Sequence, residues 1–94
     1  MLEIRIEEQG TVMLKGRLDA AQADGAMDQF RKLDGPITAD FSGLDYISSA
    51  GISVIIETHK RLATGGHVFR LINMQPRVRN VFMYSGLDRV LKIE

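Results

Sequence analysis

The sequence predicts an α/β domain with a mixed sheet of four or five strands and helices packed on it, in the order β-β-α-β-α-β-α-β. Three observations support this fold class. Short apolar segments, with the alternation or density typical of strands, recur along the chain. Longer segments between them carry apolar residues at spacings of three and four, as amphipathic helices do. The alternation of strands and helices implies parallel neighbouring strands joined by right-handed crossovers.

The first element is an N-terminal hairpin, which gives the sheet its one antiparallel strand. Residues 2–7 alternate between apolar and charged side chains and predict a half-buried strand. Residues 8–10, Glu-Gln-Gly, supply a turn, and residues 11–15 predict a second strand that Gly16 ends. Because the link is so short, we expect the two strands to be antiparallel.

A helix and a third strand follow the hairpin. Asp19 is the predicted helix N-cap, because its carboxylate can accept a hydrogen bond from a free N–H group of the first turn. Residues 34–36, Asp-Gly-Pro, stop this helix. Residues 37–41 predict a short strand that residues 42–43, Ser-Gly, break, and residues 44–49 are expected to form a loop. The apolar stripe of the helix consists of Ala20, Ala23, Met27, Phe30 and Leu33.

The second half of the chain continues the alternation. A second helix is predicted to end at Gly65-Gly66, and residues 68–72 predict the next strand. Pro76 suits the first turn of a third helix, where its missing N–H costs nothing, and residues 90–93 predict a last short strand. The predicted buried faces are Ile52, Ile55, Ile56, His59 and Leu62 in the second helix and Val78, Val81 and Phe82 in the third.

Length and composition limit the classes of function. Ninety-four residues, 45% of them hydrophobic, suit one domain over residues 1–94 with its own core. Twelve basic and twelve acidic side chains cancel, which argues against a nucleic-acid partner. The chain has no cysteine, no signal-peptide pattern and no apolar run near the ~20 residues of a membrane-spanning helix. We therefore expect a cytoplasmic protein with no cofactor, no bound metal and no membrane partner.

The segment Asp45–Ile52 is the most informative one chemically. It joins the third strand to the second helix and places two hydroxyl groups, those of Ser48 and Ser49, where that helix begins. The backbone N–H groups of such a turn are unpaired and the helix dipole is positive there, so a phosphate on either serine would be tolerated. The plainer interpretation, which the pattern alone favours, is that one serine is only an N-cap.

Enzymatic chemistries fit the sequence less well. A serine nucleophile elbow needs glycine two positions before the serine, and Ile47 stands there. His59 lies about three turns along the same helix, too far from the serines to act as their base. Asp19, Asp40 and Asp45 could meet at one end of the sheet and hold magnesium weakly, but carboxylates in such positions more often cap helices and turns. We expect a protein that is not an enzyme.

Several motifs together resemble the STAS domain, and more narrowly the stand-alone bacterial anti-sigma factor antagonists of that family. The segment Tyr46–Ile52, Tyr-Ile-Ser-Ser-Ala-Gly-Ile, resembles the family's central helix start. Residues 16–19, Gly-Arg-Leu-Asp, resemble its Gly-x-Leu-Asp after the second strand. Residues 40–42, Asp-Phe-Ser, resemble its Asp-aliphatic-Ser, and residues 85–87, Ser-Gly-Leu, resemble its Gly-Leu after the third helix. The resemblance spans nearly the whole chain.

The resemblance implies a partner-switching function. In that family an anti-sigma factor serine kinase of the histidine-kinase-like ATPase fold phosphorylates a serine or threonine at the helix start. The unphosphorylated form binds the kinase and releases its client, and a metal-dependent serine/threonine phosphatase resets the switch. The family pattern places the phosphorylated residue at Ser49, with Ser48, which stands where Asp is usual, as the alternative. The implied partner-binding residues are Asp19, Asp45, Ser48, Ser49, Ala50, Gly51 and Ser53.

A second hypothesis stays open at this point. The chain could be a non-phosphorylated STAS-like accessory or scaffold subunit of a transporter or signalling complex, in which Ser49 would only cap the helix. A small-molecule or nucleotide sensor is a third idea, but no glycine-rich phosphate cradle in the sequence supports it.

Overall fold

The computed structural model describes residues 1–94, except for the side chain of Gln9. It has the predicted order of strands and helices, with short 3₁₀ turns at Glu8–Gly10 and Leu87–Arg89. The strands are β1 (Leu2–Ile6), β2 (Thr11–Leu18), β3 (Ile37–Ile47), β4 (Phe69–Ile72) and β5 (Lys92–Ile93), and the helices are α1 (Ala20–Arg31), α2 (Ser49–Thr64) and α3 (Pro76–Tyr84).

The strands form one mixed sheet in the spatial order β1-β2-β3-β4-β5. β1 is antiparallel to β2, and all other neighbours are parallel. Each parallel strand is added on the same side of the one before it, so right-handed crossovers bring the connecting helices to one face of the sheet. The predicted α/β class and mixed sheet are confirmed, with five strands.

The hydrophobic core lies between that face and the three helices. Ile37 and Phe41 point into the core from β3, since side chains an even number of residues apart share a face of a strand. Phe69, which pairs with Ile37 in the sheet, makes an edge-to-face contact with Phe30 of α1 at 6.0 Å between ring centroids. Phe41 makes the same kind of contact with Phe82 of α3 at 6.2 Å. Both helices therefore pack on the same layer of strand side chains.

The opposite face of the sheet, which we call the open face, is covered by none of the three described helices. The strand residues that alternate with core positions point to it, and they are mostly polar or charged, as Glu3, Lys15 and Arg70 illustrate. Glu94 follows β5 and accepts a hydrogen bond from Arg70 Nε at 3.1 Å. This bond holds the pKa of Glu94 below its usual value.

Two strands are longer than predicted, at the corner of the sheet that leads to the serines. β2 continues through Gly16 to Leu18, and β3 continues through residues 42–43 to Ile47. Two register shifts in the pairing of β2 with β3 each absorb an extra residue of β3, as β-bulges do. The predicted loop over residues 44–49 is therefore wrong, because most of it is strand. The last strand, β5, is shorter than predicted.

Gly16 allows β2 to pass close to the first residue of the chain. Its φ is +102°, a conformation that other L-residues avoid. A Cβ atom at Gly16 would lie 2.3 Å from the carbonyl oxygen of Met1. The backbone N–H of Arg17 donates to that same oxygen at 2.8 Å, so Met1 is fixed against β2.

The starts of α1 and α3 agree with the prediction, whereas α1 ends at Arg31, before the predicted stripe residue Leu33. Asp19 caps α1, since its Oδ1 accepts a hydrogen bond from the backbone N–H of Gln22 at 3.2 Å. Pro76 lies in the first turn of α3, where it displaces no helical hydrogen bond. Among the described residues, no helix is both long enough and apolar enough to cross a membrane.

The buried face of α2 is shifted by about one residue from the predicted face. Ile55 and Leu62 are buried as predicted, whereas Ile52, Ile56 and His59 are only half-buried. The other buried residues of this helix are Gly51, Val54 and Thr58. The Thr58 hydroxyl donates to the Val54 carbonyl at 2.8 Å, so its polar group is satisfied inside the core.

Arg61 of α2 joins two helices, a role that the sequence pattern does not reveal. Its guanidinium donates to the carbonyl oxygens of Leu33 at 3.0 Å and Phe30 at 2.8 Å. Carbonyls at the C-terminal end of a helix have no partner within the helix, so Arg61 supplies one for the end of α1. Arg61 thereby joins the C-terminal parts of the two helices.

Candidate functional site

Two helices begin side by side at one corner of the sheet. β2 ends at Leu18 and β3 ends at Ile47, and these two residues are paired in the sheet. Asp19 then caps α1 and Ser48 caps α2. The backbone N–H of Ser48 donates to the carbonyl of Leu18 at 3.0 Å, which joins the two strand ends. The corner therefore presents the positive ends of two helix dipoles together.

Ser48 and Ser49 have different roles in this corner. The Ser48 hydroxyl oxygen accepts a hydrogen bond from the backbone N–H of Gly51 at 3.3 Å, and Ser48 is half-buried. Ser49 is the first residue of α2 and is exposed. Within the described chain, its hydroxyl forms no hydrogen bond. The structure thus assigns the N-cap to Ser48 and leaves the Ser49 hydroxyl open to solvent.

The first turn of α2 also offers free backbone donors. Because α2 begins at Ser49, the backbone N–H groups of Ser49 and Ala50 have no carbonyl acceptor one turn earlier in the helix. An anionic group near Ser49 would meet these donors and the positive end of the helix dipole. The arrangement is therefore electrostatically suited to a phosphate, as the sequence predicts.

Gly51 lets α2 approach β2 closely. A Cβ atom at this position would lie 2.6 Å from the Leu18 carbonyl oxygen and 2.8 Å from side-chain atoms of Leu18 and Ile47. Contacts this short do not occur between real atoms of these types, so only glycine fits without a shift of the helix. Gly51 consequently sets the position of the turn that carries Ser49.

Arg17 and Tyr46 flank the corner on the open face. They are paired between β2 and β3 beyond the second register shift. The Arg17 guanidinium carbon lies 4.1 Å from the centroid of the Tyr46 ring, a cation–π contact. Arg17 Nε is 3.9 Å from Asp19 Oδ2, an ion pair without a hydrogen bond. This cation near the ends of β2 and β3 is absent from the site residues that the sequence suggested.

A polar network ties the bulged part of β3 to the loop before α3. Gln75 Nε2 donates to the Ser42 carbonyl at 2.8 Å and to Asp45 Oδ1 at 3.3 Å. Asp40 accepts from the Ser42 backbone N–H at 2.8 Å and from the Asn73 side-chain amide at 3.2 Å. Partial burial raises the pKa of Asp40, but the hydrogen bonds from Ser42 and Asn73 outweigh it and hold that pKa below its usual value.

A groove of about 600 Å³ between α1 and α2 adjoins the serine corner. Small and apolar residues line it near the start of α2, and charged residues of both signs line its rim along α1. The lining includes Ala23, Asp24, Met27, Ala50, Ser53 and Val54. Two of the predicted partner-binding residues, Ala50 and Ser53, therefore belong to a concave surface continuous with Ser49.

The structure brings most of the predicted site residues to this corner. The cap residues and the start of α2 lie there together, namely Asp19, Ser48, Ser49, Ala50, Gly51 and Ser53. Asp45 is turned toward Gln75 instead and belongs to the polar network. Asp19, Asp40 and Asp45 do not form a magnesium cluster. Among the described residues, no group of three or more His, Cys, Asp or Glu side chains is placed to hold a metal.

The STAS domain model matches residues 3–94 of this chain. The chain belongs to the STAS domain family, and its five-stranded mixed sheet with three helices has the STAS fold. The motifs at the serine corner that resemble this family thus lie in a fold that the family shares.

Several solved structures share this fold. A candidate anti-sigma factor antagonist from Thermotoga maritima is 24% identical, with a TM-score of 0.82 over 99% of this chain and 85% of that one. An anti-sigma factor antagonist from Mycobacterium paratuberculosis is 17% identical, with a TM-score of 0.82 over 99% and 83%. The Bacillus anti-sigma factor antagonist SpoIIAA is similar in its unphosphorylated form, with 19% identity and a TM-score of 0.70 over 96% and 97%. Its phosphorylated form gives 20% identity and a TM-score of 0.73 over 100% and 91%.

Proposed function

We propose that this protein is an anti-sigma factor antagonist that works by partner switching. The unphosphorylated protein binds an anti-sigma factor serine kinase and releases that kinase's client, and phosphorylation of Ser49 ends the binding. The observation that carries the proposal is the exposed Ser49 hydroxyl in the first turn of α2, next to a Ser48 hydroxyl that is already engaged as the N-cap. The likeness to anti-sigma factor antagonists, one of them solved in phosphorylated and unphosphorylated forms, supports the general role.

The proposed modification is a phosphoryl transfer from ATP bound to the kinase. The Ser49 Oγ forms a bond to the γ-phosphorus, the bond from that phosphorus to the β–γ bridging oxygen breaks, and ADP leaves. The hydroxyl proton passes to a base of the kinase. The product carries roughly −1.5 to −2 charges at pH 7. The free N–H groups of Ser49 and Ala50 favour this charge, so the domain stays folded.

The same phosphate would disrupt a docked partner. The corner around Ser49 is built from small side chains, Ala50 and Ser53 among them, which allow a partner surface to approach closely. A phosphate adds bulk and a strongly hydrated charge in the middle of that surface. Burying it against the partner would require its desolvation, which opposes binding. A metal-dependent serine/threonine phosphatase would restore the binding form, and the protein itself would act in the cytoplasm without catalysing a reaction.

Mass spectrometry after incubation with the kinase and ATP tests the assignment of the modified serine. The wild-type protein and Ser48→Asp should be phosphorylated at Ser49, and Ser49→Ala should not. Ser48→Asp is the matched control, because aspartate keeps the N-cap while removing the alternative hydroxyl. Equal phosphorylation of Ser49→Ala would contradict the assignment.

Calorimetric titration of the kinase tests the interface. Ser49→Asp should bind more weakly than the wild-type protein, since it places a charge in the contact. Unchanged affinity would count against Ser49 lying in the interface. If the wild-type protein neither binds a serine kinase nor accepts a phosphate, the accessory or scaffold role becomes the better hypothesis.

A further inference from the structure

We propose that Arg17, stacked on Tyr46, is the residue that selects the partner, because it binds a carboxylate on the partner's surface. This inference rests on the proposed function and names the chemistry of the contact beside Ser49.

The Arg17 guanidinium is held in place but has hydrogen-bond donors to spare. Its carbon lies 4.1 Å from the Tyr46 ring centroid, and 54% of the Arg17 side chain is exposed. Asp19 Oδ2 is 3.9 Å from Nε, too far for a hydrogen bond, and Asp19 Oδ1 already accepts from Gln22. Among the described side chains, none accepts a hydrogen bond from this guanidinium. Its N–H groups are therefore available to a partner.

Arg17 and Ser49 lie next to the same hydrogen bond. The backbone N–H of Ser48 donates to the Leu18 carbonyl, and Arg17 precedes Leu18 while Ser49 follows Ser48. Tyr46, which the guanidinium covers, is the last residue of β3 that points to the open face, shortly before α2 begins. Arg17 and Ser49 thus lie within two residues of the paired strand ends Leu18 and Ile47, and an interface of ordinary size centred on these strand ends includes both.

The chemistry of this pair favours an anionic partner group. A guanidinium presents its donors as a planar fork that matches the two oxygens of a carboxylate. Stacking on Tyr46 orients the fork before binding, so less conformational entropy is lost when the contact forms. Arginine and tyrosine are also the side chains most often found to dominate protein–protein binding energy. The occupant we infer is an aspartate or glutamate of the kinase.

The charge of this contact also fits the switch. A phosphate on Ser49 would place negative charge beside the position of the partner's carboxylate, and like charges across an interface oppose association. Phosphorylation would thus weaken the contact at Arg17 as well as the contact at Ser49.

The test uses the full chain and the purified serine kinase that phosphorylates Ser49, titrated by calorimetry at two salt concentrations. Arg17→Glu should weaken the affinity about 100-fold and Arg17→Lys or Tyr46→Leu about 10-fold, the range that dominant interface residues show. The matched control is Arg89→Glu, which makes the same charge change at an exposed residue before β5, at the other end of the parallel strands. Its affinity should stay within about twofold of wild type.

Charge reversal on the kinase identifies the partner group. A substitution of one kinase Asp or Glu by Arg should restore binding of Arg17→Glu. The proposal is overturned if Arg17→Glu binds as tightly as the wild-type protein, or if Arg89→Glu loses as much affinity. Urea unfolding of each variant shows whether a loss of affinity reflects a loss of fold. Failure of the wild-type protein itself to bind the kinase would instead refute the proposed function.

Discussion

Replacement of Gly51 by alanine tests how the turn of Ser49 is positioned. The new methyl group would lie 2.6 Å from the Leu18 carbonyl oxygen and 2.8 Å from two side-chain carbons. The carbonyl cannot move freely, because it accepts the Ser48 N–H at 3.0 Å. The start of α2 must therefore shift away from β2.

The expected magnitude follows from three effects. Overpacking of a close contact costs about 1–3 kcal/mol. Alanine gains at most about 1 kcal/mol over glycine in helix propensity. A strained or broken hydrogen bond from Ser48 to Leu18 loses about 1 kcal/mol more. We expect Gly51→Ala to lower the free energy of unfolding by about 1–3 kcal/mol.

The matched control is Gly25→Ala in α1. A Cβ atom at Gly25 would have no neighbour within 4 Å, so only the propensity term applies and stability should rise by about 0.5–1 kcal/mol. Urea unfolding followed by far-UV circular dichroism measures both, and the Gly51→Ala midpoint should fall by roughly 1 M. If Gly51→Ala proves as stable as the wild-type protein, the close approach of α2 to β2 is not what requires glycine.

Three further predictions concern stability. Ser48→Ala should lower the free energy of unfolding by about 1 kcal/mol because it removes the N-cap. Ser49→Ala should change it by less than about 0.5 kcal/mol. Equal effects in urea unfolding would contradict the assignment of the N-cap to Ser48 alone. Arg61→Met keeps the apolar stem but loses two hydrogen bonds, one to Phe30 of α1 and one to Leu33 just after it, which should cost about 1–2 kcal/mol in the same assay. The substitution Lys60→Met, at an exposed residue, should be near neutral. The pKa of Asp40 lies below its usual 3.8, so its carboxylate stabilises the fold at neutral pH and this contribution is lost as the pH falls below that value. Asp40→Asn should therefore flatten the acid limb of stability against pH, and an unchanged acid limb would refute this role.

The existence and order of the elements could be predicted because their signals are local. The alternation in residues 2–7 and the spacing of apolar residues after Asp19 each depend on neighbours within a few positions. The lengths of β2 and β3 could not be predicted in the same way. Residues 42–43, Ser-Gly, have the composition of a turn, yet in the sheet they lie at a bulge whose pairing is set by β2.

The candidate site could likewise be predicted only in part, where its signals are local. Ser48 and Ser49 are adjacent and begin a helix, so the pattern alone suggests that one of them is an N-cap, and the family resemblance implies a modification at Ser49, with Ser48 as the alternative. The pattern does not show which serine is the cap, because that depends on the hydrogen bond from Gly51. The Arg17–Tyr46 contact depends on the register of two strands distant in sequence. No local pattern could have placed that cation over the Tyr46 ring.

The hydrogen bond from Arg17 to Met1 has a practical consequence for binding experiments. Met1 is 90% exposed, yet its carbonyl is fixed to β2 by the backbone N–H of Arg17. A purification tag fused before Met1 would emerge beside the end of β2, one strand away from Tyr46, and would crowd a protein that docks at this corner. A tag after Glu94 would emerge from β5, three strands away from β2, and would leave this corner accessible.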